Sequence, residues 1–155
     1  MVYASLWGMP DRYELLSPES NTSVPYALMV EDDVDLRVGV LLFLQESHYK
    51  VIGVSNGLEA LKVLVEAYNR HHLPSVILLD LNMPVMTGWE LLTVCQTVCK
   101  PEVCAVPIYL TTGENIPPNS RYGILKKPYS VEQLLGIMRK HCGTPNSNGE
   151  GSKAQ

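Results

Sequence analysis

Five short apolar runs punctuate this chain, and their regular alternation with amphipathic segments is its strongest constraint on fold. The runs are YALMV (26–30), KVIGV (50–54), SVILLD (75–80), VPIYLT (106–111) and YGILK (122–126). Each is short, nearly continuous and bounded by polar or turn residues, which reads as a strand. Between them, apolar residues recur at helical spacing. Leu36, Val40, Phe43 and Leu44 mark a first helix. Leu61, Leu64, Val65 and Tyr68 mark a second, opened by Gly57 and closed before Pro74. Trp89 to Cys99 reads as a third that stops before Pro101. Val131, Leu134, Leu135 and Met138 mark a last one, with Ser130 as its N-cap. Strands apolar on both faces, alternating with amphipathic helices, imply an α/β fold with a parallel sheet covered on each side. Right-handed crossovers reduce the topology to a doubly wound five-stranded sheet.

In such sheets ligands bind at the carboxyl ends of the strands, beside the switch in strand order. Those ends carry the chemistry of this chain. Glu31 and Asp32 follow the first strand and Asp80 ends the third. Thr111 and Thr112 end the fourth, and Lys126 and Lys127 end the fifth. With the order 2-1-3-4-5 they converge on one crevice. Two like charges about 4 Å apart repel by roughly 4 kcal/mol at an effective dielectric near 20. Three carboxylates there call for cations, and a hard divalent ion with oxygen ligands, Mg²⁺, suits them beside a fixed ammonium. Each feature has a plainer explanation taken alone. Glu-Asp-Asp before a helix can cap it and favour its dipole, and a lysine before Pro128 can be an ordinary surface residue. Four such features at four of the five strand ends are harder to dismiss.

Composition narrows the alternatives. A chain of 155 residues suits one domain, burying roughly 70% of its unfolded surface. A net charge of −4 with no basic run argues against direct nucleic-acid binding. No apolar stretch is long enough to insert in a membrane, and a cytoplasmic location is expected. The four cysteines (Cys95, Cys99, Cys104 and Cys142) form no CxxC pair, so neither a zinc knuckle nor a redox motif is indicated. Cys95 and Cys99 are expected as buried or half-buried thiols on a helix face with Leu91 and Val98. Residues 1–25 read as an extension in which Trp7, Tyr13, Leu15 and Leu16 are available to dock on a neighbouring surface. The tail from Gly143 has little to bury and is expected to be disordered.

From Tyr26 to Cys142 the chain resembles a response-regulator receiver domain of two-component signalling. The resemblance rests on VEDD (30–33), LLDLNMPVMTGWELL (78–92), PIYLTTGE (107–114) and LKKPYS (125–130). It implies a flavodoxin-like sheet and a bacterial-type signalling phosphoprotein whose phosphoacceptor is Asp80. Asp32 and Asp80 would ligate Mg²⁺ directly, Glu31 through water and Asn82 through its carbonyl. Lys127 would pair with the phosphoryl group, and Thr112 would supply the switch hydroxyl. Asn82 and Glu114 would border the approach of hydrolytic water. The partners implied are a sensor histidine kinase or histidine phosphotransfer protein, a downstream protein and, in some members, a second copy in a homodimer. Beyond accepting phosphate and slowly losing it, the protein would not be an enzyme.

Two departures from the family pattern stand out. Ile124 occupies the usual aromatic switch position, with Tyr122 nearby on the same side of the strand. Only fourteen residues separate Thr112 from Lys127, and they include Pro117 and Pro118, so the helix joining strands four and five should be short or absent. Phosphorylation is then expected to order this loop through Thr112, with helix five or helix one carrying partner contacts. Two other functions compete. An Asp-first phosphatase also places a nucleophile at a strand end, but here Asn82 stands where its second aspartate would be and no cap-sized insertion exists. A constitutive interaction module could keep the fold without the chemistry, against which stand the intact Asp32, Asp80, Thr112 and Lys127.

Overall fold

The structure, a computed structural model, describes residues 24–116 and 120–145. Its elements are β1 (Tyr26–Val30), α1 (Val34–Glu46), β2 (Lys50–Val54), α2 (Gly57–Asn69), β3 (Val76–Asp80), α3 (Gly88–Thr97), α4 (Pro101–Cys104), β4 (Ile108–Thr112), β5 (Gly123–Lys126) and α5 (Val131–Cys142). The five strands are parallel and run in the order β2-β1-β3-β4-β5. The expected doubly wound sheet is therefore present. Of the expected extension only Val24 and Pro25 are described, and of the tail only Gly143, Thr144 and Pro145; the remainder of both lies outside the described residues.

The pleat divides each strand between two cores. Tyr26, Leu28, Val30, Ile52, Val54, Ile77, Leu79 and Leu110 pack with α2, α3 and α4. Ala27, Met29, Val51, Val76, Leu78 and Leu125 pack with α1 and α5. This is the period-two alternation of a strand covered on both faces. Leu28, Leu78, Leu79 and Leu110 are essentially inaccessible, and burying each contributes about 1.5–3 kcal/mol. Polar side chains start the helices. Asp33 and Asn56 cap α1 and α2, while Thr87 with Glu90 and Ser130 with Gln133 form capping boxes on α3 and α5.

Register levels the strand ends that carry the site. Val30 pairs with Leu79, which sets Glu31 beside Asp80, and Asp80 pairs with Thr111. Thr112 pairs with Lys126. Gly88 lets α3 start close against the end of β3. Its N–H donates to Leu81 O at 3.0 Å, and a Cβ there would press on Asp80 O and lie 2.9 Å from Leu81 Cα.

Several local expectations need correction. The third helix ends at Thr97 rather than Cys99, and Pro101 begins a helical turn, α4. Proline stops the helix before it but is well suited to the first position of a new one, where no N–H is needed. Cys95 is buried and Cys99 partly buried as expected, but Val98 is 75% exposed and Val65 50% exposed. Both lie on the apolar stripes that the helical spacing marks. No helix occurs among the described residues between β4 and β5, in line with the short segment there.

Candidate functional site

The acidic residues after β1 separate into two jobs. Asp33 is the helix cap, accepting from Leu36 N at 2.9 Å. Glu31 and Asp32 are left for the crevice, where they meet Asp80. One carboxylate oxygen from each of the three lies within 4.8 Å of the others. At that spacing each ionised pair repels by about 3–4 kcal/mol at an effective dielectric near 20. Glu31 is 1% exposed and Asp80 7% exposed, so water does little to relieve the crowding.

Lys127 answers part of that charge. Its Nζ lies 2.8 Å from Glu31 Oε2 and 3.4 Å from Asp80 Oδ2. The chain brings it there from the end of β5, anchored by Lys127 N donating to Thr112 O at 2.8 Å. The adjacent Lys126 points elsewhere and reaches Asn115 Oδ1 at 3.1 Å. Burial and, next, the charge of Asp80 hold the Glu31 carboxyl above its ordinary value, against the opposing hydrogen bond from Lys127. Burial pulls the Lys127 ammonium down, but its hydrogen bonds and attraction to Glu31 and then Asp80 prevail, so its pKa rises. Both directions express one imbalance. Three ionised carboxylates facing one ammonium leave two negative charges uncompensated. An all-oxygen donor set with that deficit fits a hard divalent cation.

The rim is built from the loops. Asn82 N approaches Asp80 Oδ1 at 3.4 Å, and Asn82 Nδ2 donates to Glu114 Oε1 at 2.8 Å. Thr112 is buried, with Oγ1 accepting from Glu114 N at 3.0 Å. Glu31, Asp32, Asp80, Asn82, Thr112, Glu114 and Lys127 therefore gather at one end of the sheet. Ile124 does not join them. It is 41% exposed on the edge strand, while Tyr122 packs at the α3-side core and accepts from Gln96 Nε2 at 2.6 Å.

Two residues were not anticipated from sequence. Arg37 Nη1 donates to Glu31 O at 2.6 Å and reaches Asp32 O at 3.3 Å, fastening the acidic turn from behind. Its signal was a lone cation in the second turn of α1, where the helix dipole does not favour it. Tyr129 is the other. Its hydroxyl is buried without a partner among the described residues, and burial, followed by the Glu31 charge, raises its pKa.

A doubly wound α/β sheet whose switch-point crevice gathers three carboxylates and a lysine defines a class of modules that bind a polar ligand at the carboxyl ends of their strands. Comparison with known proteins sharpens it. The family model for the response regulator receiver domain matches residues 27–139. The rice protein "Two-component response regulator ORR3" (Oryza sativa subsp. indica) is 34% identical over 97 residues, covering 63% of this chain and 70% of its own. The structure of chemotaxis response regulator CheY4 of Vibrio cholerae aligns with a TM-score of 0.61 at 30% identity, over 76% of this chain and 98% of that one. The receiver domain of sensor histidine kinase PA1611 from Pseudomonas aeruginosa, described with a magnesium ion in its active-site cleft, aligns at 0.63 and 21% identity, over 78% and 99%. This chain belongs to the response regulator receiver domain family, the phosphoacceptor modules of two-component systems. Similar proteins come from both a plant and bacteria, so membership alone does not support the expected bacterial origin.

Proposed function

We propose that Asp80 is the phosphoacceptor and that it takes its phosphoryl group from a phosphohistidine on a sensor kinase or histidine phosphotransfer protein. An Asp80 carboxylate oxygen attacks phosphorus, the P–N bond breaks, and the imidazole leaves with the bond's electron pair. Water later attacks the acyl phosphate, releasing inorganic phosphate and restoring the carboxylate. Such transfer needs positioning and charge neutralisation more than covalent help. Lys127 neutralises one phosphoryl oxygen, and the Thr112 hydroxyl with a backbone N–H after Asp80 takes another. Glu31, Asp32, Asp80 and the Asn82 carbonyl would hold Mg²⁺, which when bound neutralises charge and orients a phosphoryl oxygen. Asn82 and Glu114 stand where water would approach, and we assign them to tuning the phosphate lifetime.

The observation that carries this reading is the placement of Lys127 Nζ between Glu31 and Asp80, at 2.8 and 3.4 Å, with the three carboxylates converging beside it. Output would pass through Thr112 to the 113–122 segment and be read by a partner without an aromatic switch, since exposed Ile124 stands at that position. The direct test uses acetyl phosphate with Mg²⁺, followed by mass mapping of the acyl phosphate. Label should appear on Asp80 and vanish in Asp80→Asn and in excess EDTA. Full labelling in either condition would overturn the assignment.

A further inference from the structure

The face opposite α1 and α5 carries an apolar groove that the phosphoryl site does not use. Leu61, Val65 and Tyr68 of α2 form one wall, Val94 and Val98 of the α3 end another, and Val103 of α4 closes it. Val65 and Val98 are the two valines left 50% and 75% exposed. Lys100 stands at the same rim. Nothing in the phosphoryl chemistry requires valines in water there.

The described chain enters beside this groove. His72 follows the groove-lining Tyr68 and Asn69 and is tied to the end of α2 by His72 N donating to Ala67 O at 2.9 Å. His72 Nε2 lies 3.1 Å from Val24 O, and Tyr26 OH donates to His72 O at 3.0 Å. A carbonyl only accepts, so Nε2 carries the hydrogen. Nδ1 is buried with no partner among the described residues, leaving an unfilled polar position where residue 24 meets the domain.

The sequence upstream matches the groove in chemistry and reach. Tyr13, Leu15 and Leu16 form an apolar cluster around Glu14, and a polar spacer, residues 17–23, joins them to Val24. Eight residues from Leu16 to Val24 span at most about 29 Å when extended. The α2 stretch from Leu61 to Asn69 is about 12 Å long at 1.5 Å per residue. The spacer is therefore more than twice as long as the α2 wall that begins beside Val24. Glu14 would meet Lys100 at the rim while the flanking apolar groups cover Val65 and Val98.

We propose that residues 13–16 dock in the α2–α3–α4 groove of their own domain. The segment then shields this face and leaves the α1–α5 side as the open one for partners. Hydroxyl-radical footprinting of the full chain tests it, with the synthetic peptide 1–23 as the unprotected reference. Tyr13, Leu15 and Leu16 should be oxidised several-fold more slowly in the protein than in the peptide. Val98→Asp, at an exposed position, should remove that protection. The double variant Leu15→Asp/Leu16→Asp should expose Tyr68 to the same degree. Oxidation of Tyr13–Leu16 at the peptide's rate overturns the proposal, as does an unchanged Tyr68 in the double variant. Protection that disappears on dilution also overturns it, because a second copy would then be the occupant.

Discussion

Replacing Lys127 with alanine removes the ammonium that stands between two buried carboxylates. Glu31, 1% exposed, loses a 2.8 Å partner, and Asp80 loses one at 3.4 Å. Breaking a buried pair from one side costs about 3–5 kcal/mol. The Lys127 side chain is 26% exposed, and Glu31 can relieve the strain by binding a proton, so the lower end, about 3 kcal/mol, is expected without metal. Mg²⁺ should recover a larger share of stability in the variant than in the wild type, because no ammonium then offsets the carboxylates that it would bind. The kinetic effect should be larger than any stability loss explains. Removing one donor from a developing oxyanion costs about 2.7–4 kcal/mol, or roughly 100- to 1000-fold in rate. Urea denaturation with and without Mg²⁺ gives the first quantity, and the initial rate of labelling by acetyl phosphate gives the second. Lys126→Ala is the control. It removes only a hydrogen bond to exposed Asn115, so stability should change by less than about 0.5 kcal/mol. Equal rate losses in the two variants would show that bulk positive charge, not the placement of Lys127, assists transfer.

Three further outcomes follow from single contacts. Gly88→Ala forces a methyl against Asp80 O and Leu81 Cα, and should lower stability by about 1–3 kcal/mol in chemical denaturation while slowing phosphorylation. Arg37→Met removes the guanidinium that holds the Glu31 and Asp32 carbonyls. It should weaken Mg²⁺ binding in a fluorescence titration yet leave the labelling rate at saturating Mg²⁺ nearly unchanged, and Arg37→Lys should restore affinity only in part. Burial, then Lys140, holds the His141 imidazole below its ordinary 6.5. The unfolded chain therefore binds the proton more readily, so this residue's contribution to stability falls as pH drops from about 7 to 5.5. Thermal melts across that range should flatten in His141→Gln, and a variant with the wild-type slope would show that other groups set it.

The strand runs, helix stripes and turn residues were legible in sequence because they are local properties. A strand buried on both faces needs an unbroken apolar run, and a helix packed on one face needs a 3.6-residue period. YALMV and SVILLD announced β1 and β3 for that reason, and Ser130 announced the start of α5. The acids, threonines and lysines at the strand ends were also readable, since parallel topology sends those ends to one edge. Periodicity did not say which helical valines stay exposed. Val65 and Val98 fit the apolar stripes of their helices, yet they are left 50% and 75% exposed beside the groove between α2 and the α3 end. The strand-end rule already pointed to Glu31 and Asp32, but it did not show that Asp33 is the side chain that caps α1. It also gave no account of Arg37 reaching back to their carbonyls. Those assignments depend on side-chain direction and on distances across the sheet. Lys127 and Glu31 are 96 residues apart in the chain and 2.8 Å apart in space, and only the packed sheet sets that separation.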